Sequence, residues 1–260
     1  MGKEIKNYGF KPPEIVPEDF WLGSGKLGST VLNEKGDWRD YLPELEIQRV
    51  NFEPSACVSF GILNSLEIIH KLLWKVEPNY SDRFTAKMSE TDPSSGNTPK
   101  KVSESIKNSG LVPEKEWPMT ETLKEYYKDI PISVKDIGKM WIRHFGFGYE
   151  WVDKTKLKEA LKRSPVGVAV SAWEMNNKGE YVYFGTWNHW CVLVAYDELD
   201  RPIVWDSYDR GLKTLERNFP FGFPQIYTLK KKEEKKESEN WWSIIIKFIK
   251  ENWFAFKQLF

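Results

Sequence analysis

The feature that most constrains this chain is a cysteine at the head of an apolar run. Pro54, Ser55 and Ala56 precede Cys57, and apolar side chains then recur at Phe60, Leu63, Leu66, Ile69, Leu72 and Leu73, up to about Trp74. That spacing is close to 3.6 residues per turn and predicts one buried helix with Ser55 as its N-cap. The first N–H groups of a helix have no partner inside it, and the helix dipole is positive at that end. Both favour a thiolate at Cys57, the nucleophilic form of cysteine.

Composition removes several function classes. The 260 residues carry 38 basic and 38 acidic side chains, so a net charge of zero gives no global attraction to nucleic acid or an anionic membrane. A chain with 40% hydrophobic and 29% charged residues suits a soluble globular protein, with room for one sizeable domain plus additions. Two cysteines, Cys57 and Cys191, are too few for a secreted disulfide framework, so a reducing, cytoplasmic setting is expected. Residues 1–7 lack the apolar core of a signal peptide, and no uninterrupted apolar span reaches the ~18 residues that cross a bilayer as a helix.

Residues 1–36 are rich in Gly and Pro with little periodicity, and Lys11-Pro12-Pro13 and Val16-Pro17 favour extended chain. They read as an extended arm lying on the domain, too poor in helical pattern to be a large helical inhibitory pro-segment. A folded body is expected over 37–229. It opens at Asp37-Trp38-Arg39, with a loop at 44–56 carrying Gln48 and Asn51. Residues 77–100 are polar and turn-rich; short helices follow at 100–109, stopped by Gly110, at 134–145 and at 154–163. The pattern then switches to Val-rich alternating stretches at 165–172, 190–196, 201–208 and 223–229, which read as strands. Helices first and strands second imply a two-part α+β body, with a cleft that sets Cys57 opposite His189.

The chain closes with a charged linker at 230–239 and an aromatic stretch at 240–260. In a helix, the latter gathers Ser243, Lys247, Lys250, Glu251, Lys257 and Gln258 into a narrow polar stripe. Such a helix is expected to seek a membrane surface, a protein partner or the body of the protein, giving membrane- or virion-associated localisation.

Hydrolysis by a thiol requires a thiolate, a base for its proton, a group that orients that base, and donors for the oxyanion. Cys57 supplies the first, His189 the second, and Asp206 can hold the imidazole tautomer. Tyr208 stands two residues on, ready to cover that contact from water. The oxyanion donors are the Cys57 N–H and a side-chain amide, Gln48 or Asn51. No cofactor is implied. With two Cys and three His, no structural metal is expected. Cys191 shares a strand face with His189 and reads as packing, while His70 and His144 read as helix-surface or core residues.

These residues resemble the papain-like cysteine proteases, and the matches run in the family's order over roughly 37–229. Asp37-Trp38-Arg39 is similar to the opening of the mature enzymes, and Ala56-Cys57-Val58-Ser59-Phe60 to the nucleophile helix. Residues 110–118, ending Trp117-Pro118, resemble a left-domain segment, and Pro165 to Val170 a right-domain strand. Asn188-His189-Trp190-Cys191 resembles the base strand, and Trp205-Asp206-Ser207-Tyr208 the Asn-Ser-Trp segment. His189 lies 132 residues beyond Cys57, inside the ~130–150 typical of the group. The resemblance implies a papain-like two-part fold, a helical left half and an antiparallel β right half with the active-site cleft between them. It also implies peptide or protein substrates, and a backbone-pairing role for Gly96.

The departures are specific. The family's first box cysteine and its left-domain disulfides are missing, which suits a bacterial or phage cytosol. Asp206 stands where the family has Asn, adding a full charge beside the imidazole. The family's oxyanion spacing falls on Asn51, while Gln48 has the family's side chain on a longer loop. The activity implied is a cysteine peptidase acting through an acyl-enzyme. The alternatives are a non-catalytic binding protein of the same fold within a larger assembly, and a cell-wall amidase or transpeptidase on the same triad.

Overall fold

The computed structural model describes residues 6–24 and 30–233. The aromatic helix expected over 240–260 lies outside the described residues, as does the charged linker beyond Glu233.

The central element is α1, Cys57–Trp74, buried continuously from Cys57 to His70. It ends where Lys75 adopts a left-handed φ of 58° and returns its N–H to the Lys71 carbonyl. Its N-cap differs from expectation. Ala56 occupies the cap position without a side-chain bond, and Ser55 has φ 54° with its hydroxyl given to the Pro93 carbonyl at 2.8 Å. The serine is spent on tying the helix start to a neighbouring loop.

Around α1 lie α2 (Asp82–Met88), α3 (Pro99–Ser109), α4 (Leu123–Tyr126) and α5 (Ile132–His144). The α2 helix falls in the stretch expected to be turns; seven residues are too few for a periodic signal, but Ser81 caps it by accepting from the Phe84 N–H. Gly110 closes α3, as its position suggested.

The chain passes directly from α5 into β1 (Phe145–Trp151), then through α6 (Leu157–Leu161) to β2 (Val166–Val170). A two-stranded ribbon, β3 (Glu174–Met175) with β4 (Tyr181–Val182), precedes β5 (His189–Tyr196), β6 (Pro202–Trp205), β7 (Leu212–Thr214) and β8 (Gly222–Lys231). The main sheet runs β1-β8-β2-β5-β6-β7, antiparallel throughout. The strand β1 was not expected, and it explains why β8 outlasts its expected end: Phe145 pairs with Lys231 and Gly146 with Lys230. Those two lysines therefore belong to the sheet and not to the linker.

Alternation along the strands divides the core. Trp190, Ala169 and Tyr227 face α1, together with Cys57, Leu63 and Leu66. Val168, Cys191 and Leu193 face the other side, with Trp38 and Phe221. Helix and sheet approach closely at one point. A Cβ on Gly61 would stand 2.6 Å from the Trp190 ring, so bare backbone is needed for the indole to lie under α1. That contact sets the start of α1 beside the start of β5.

Candidate active site

Three side chains separated in sequence are thereby collected. Cys57 opens α1, His189 opens β5, and Asp206 follows the last residue of β6; all are buried. His189 Nε2 and Asp206 Oδ1 are 2.6 Å apart. The other imidazole nitrogen, Nδ1, is buried and has no hydrogen-bond partner. The second carboxylate oxygen of Asp206 accepts from Trp173 Nε1 at 2.9 Å and from Lys213 Nζ at 2.7 Å. Burial pushes Asp206 up, but His189 and Lys213 outweigh it and hold the carboxyl below its ordinary range. The Cys57 thiol goes the other way. Burial raises it well above the usual value, and the backbone N–H groups of Trp190 and Val58 offset this only in part.

Three aromatic rings stand edge-on to the imidazole: Tyr8 at 5.4 Å between centroids, Trp173 at 5.8 Å and Tyr208 at 5.3 Å. Tyr208, expected to cover the Asp206–His189 contact, packs its ring edge-on to the imidazole. Its hydroxyl donates to Glu53.

The two oxyanion alternatives part company. Gln48 is fully buried, its backbone N–H bound to the Ser207 carbonyl at 2.9 Å, and its Nε2 reaches into the cleft. Glu53 Oε1 accepts from that amide at 2.7 Å and so fixes which end of it faces the cleft. Asn51, at the family's spacing, is exposed and donates to Glu121 instead. The longer loop turns Asn51 outward.

The cleft is occupied by the protein's own arm. Residues 6–11 run through it with a bend at Gly9, where Asn7 Oδ1 accepts from the Gly9 and Phe10 N–H groups. The Tyr8 N–H donates to the Asn188 carbonyl at 2.9 Å, and the Tyr8 carbonyl accepts from Gln48 Nε2 at 3.1 Å. The Lys6 carbonyl accepts from Asn188 Nδ2 at 2.7 Å. On the opposite wall, Asn97 donates to the Gly9 carbonyl and accepts from the Lys11 N–H, both at 2.9 Å, pairing Phe10 in parallel with Asn97. Phe10 is buried, stacked on Trp190 at 5.8 Å and against Phe223 at 5.9 Å. The pairing falls one residue beyond Gly96, whose own N–H and carbonyl close a turn on Asp92. What Gly96 provides is room: a Cβ there would meet the Gly9 carbonyl oxygen at 1.9 Å. The described residues of the arm contain no helix, and its residues 6–11 fill the cleft as a bent strand of chain.

Tyr8, Glu53, Trp173 and Lys213 were not singled out from the sequence. Only Lys213 left any local trace, as a charge in the middle of a short strand, and that is no more than a solvated strand would show.

The sequence matches no protein-family model and no curated protein. Solved structures do match. Procathepsin L 3 of the Tenebrio molitor larval midgut is 16% identical, over 85% of this chain and 76% of its own, with a TM-score of 0.59. The cysteine protease and lectin-like domains of Cwp84, a surface-layer-associated protein of Clostridium difficile, are 14% identical over 90% of this chain and 58% of theirs, with a TM-score of 0.65. Bromelain from Ananas comosus is 18% identical over 75% and 96%, with a TM-score of 0.50. The chain has a papain-like fold: helices and an antiparallel sheet packed on the helix that begins with Cys57.

Proposed function

We propose that this protein is a cysteine peptidase. The observation that carries the reading is a peptide already lying in the cleft, its Tyr8 carbonyl on the Gln48 amide and its Tyr8 N–H on Asn188. In the reaction, Cys57 Sγ attacks the scissile carbonyl carbon while its proton passes to His189 Nδ1, the nitrogen left without a partner. Gln48 Nε2 and the Cys57 N–H hold the resulting oxyanion. His189 returns the proton to the leaving amine, the C–N bond breaks, and water then hydrolyses the thioester by the same base. Asp206 holds the imidazole throughout.

The arm must leave the cleft before a substrate enters. In the closed form the Cys57 thiol is buried and pushed toward its protonated state, so this is a resting form. That same observation favours a second reading, a non-catalytic protein that keeps the fold to hold a peptide.

A peptidyl epoxide separates the two, applied to wild type, Cys57→Ala and His189→Ala. Each is also made with Gly9→Ala, which introduces a clash between arm and cleft. Labelling at Cys57 that depends on His189 supports the peptidase. A folded Gly9→Ala protein that is not labelled at Cys57 rules it out.

A further inference from the structure

We propose that Lys213 is a positioning residue for His189, balancing the charge of Asp206 so that the carboxylate behaves toward the imidazole as a neutral acceptor. The inference rests on the peptidase reading and deepens it.

Lys213 lies on β7, paired with Val204 of β6, two residues before Asp206. Its side chain is wholly buried, as is that of Asp206. An ammonium needs three acceptors to satisfy its protons, and Lys213 has three: Asp206 Oδ2 at 2.7 Å, the Arg210 carbonyl at 2.7 Å and the Tyr208 carbonyl. Its Nζ also stands 5.1 Å from the centre of the Trp173 ring, whose Nε1 donates to the same Asp206 oxygen. Oδ2 therefore has two donors, and Oδ1 is left to the imidazole alone. The carboxylate is fixed in one orientation, and its charge is met where it arises.

A buried anion with no counter-charge would hold the proton on His189 and resist its return to the leaving amine. A neutral amide at this position would need no lysine. A buried lysine would in turn be strongly unfavourable without the carboxylate. Asp206 and Lys213 thus form one device, and either alone is worse than neither.

The test is a double-mutant cycle in the full-length chain carrying Gly9→Ala: Lys213→Met, Asp206→Asn, and both together. Near-UV circular dichroism and a thermal melt establish folding. The readout is the second-order rate of Cys57 labelling by a peptidyl epoxide, with peptide mapping to separate Cys57 from Cys191. Each single variant is expected to lose at least tenfold. The double variant should recover to within about tenfold of the parent, exceeding the product of the single effects by roughly tenfold to a hundredfold.

A lysine that only pinned the turn at 207–211 would multiply the two losses, and that result overturns the proposal. So does Lys213→Met at the parent rate. Should Lys213→Met not fold, Asp206→Asn is compared with the double variant, which must be the faster. Failure of the peptidase reading is distinct: the parent itself is then not labelled at Cys57.

Discussion

Gly9→Ala should convert the resting form into an open one. Five hydrogen bonds join residues 6–11 to the cleft through Asn188, Gln48 and Asn97. At about 1 kcal/mol net for each, with about 2 kcal/mol for burying Phe10, they are opposed by roughly 1 kcal/mol per ordered residue. The seated arm is left favoured by about 1 kcal/mol, roughly fivefold. Gly9 has φ 109°, and a Cβ there would stand 2.1 Å from the Ser55 carbonyl oxygen and 2.3 Å from its carbon. Both are backbone atoms next to α1, so they cannot yield as a side-chain tip would. Overpacking of this kind costs about 2–3 kcal/mol, more than the seated arm has to spare. The expected outcome is an increase of about fivefold in Cys57 labelling and in hydrolysis of a fluorogenic peptide. Phe10→Ala should act in the same direction. Both rates abolished by Cys57→Ala would tie the gain to this site. A folded Gly9→Ala protein with wild-type rates would refute the argument that the arm limits access.

Two further outcomes follow from the site and its surroundings. Gln48→Ala should lower kcat by about a hundredfold or more, the usual effect of losing an oxyanion donor, whereas Asn51→Ala should stay within about twofold; steady-state kinetics on one peptide compares them, and equal losses would put the oxyanion elsewhere. Stability should also fall from pH 5 to pH 8, because burial raises four neighbouring carboxyls: Glu46, Glu67, Asp82, which shares a hydrogen bond with Glu46, and Glu114, which reaches about 7. The folded chain then binds protons more tightly than the unfolded one, so this contribution is complete below the unfolded carboxyl range and is lost as pH rises through the folded values. Glu114 is partly solvated, and its share is discounted to roughly 1–2 kcal/mol. A melting temperature at pH 8 equal to that at pH 5, or a slope unchanged by Asp82→Asn, would contradict this.

The parts of this molecule legible in the sequence are those that neighbouring residues decide together. The run from Cys57 to Trp74 announces a buried helix because its period and length agree, and the Val-rich strands are equally explicit. Cys57, His189 and Asp206 could be picked out as candidates because Cys57 opens that run and because the segments around all three resemble those of a known family. Elsewhere the deciding partner is distant. Phe145-Gly146-Phe147-Gly148 becomes a strand only because β8 pairs with it, and the local pattern carried the preceding helix into it. The position of the arm depends on two glycines 87 residues apart, Gly96, bare where the Gly9 backbone passes, and Gly9, bare where the Ser55 backbone passes. No periodicity reports such a pair. Asp206 shows what this costs in chemistry. Read along the chain, it is an acid where an amide would serve, adding a full charge beside the imidazole. In the folded protein β7 delivers Lys213 to its second oxygen, so a buried counter-charge stands beside the acid. A substitution at a buried polar position therefore has to be judged with the groups the fold brings to it, and here one lysine, seven residues further on and across a turn, changes what the acid can do.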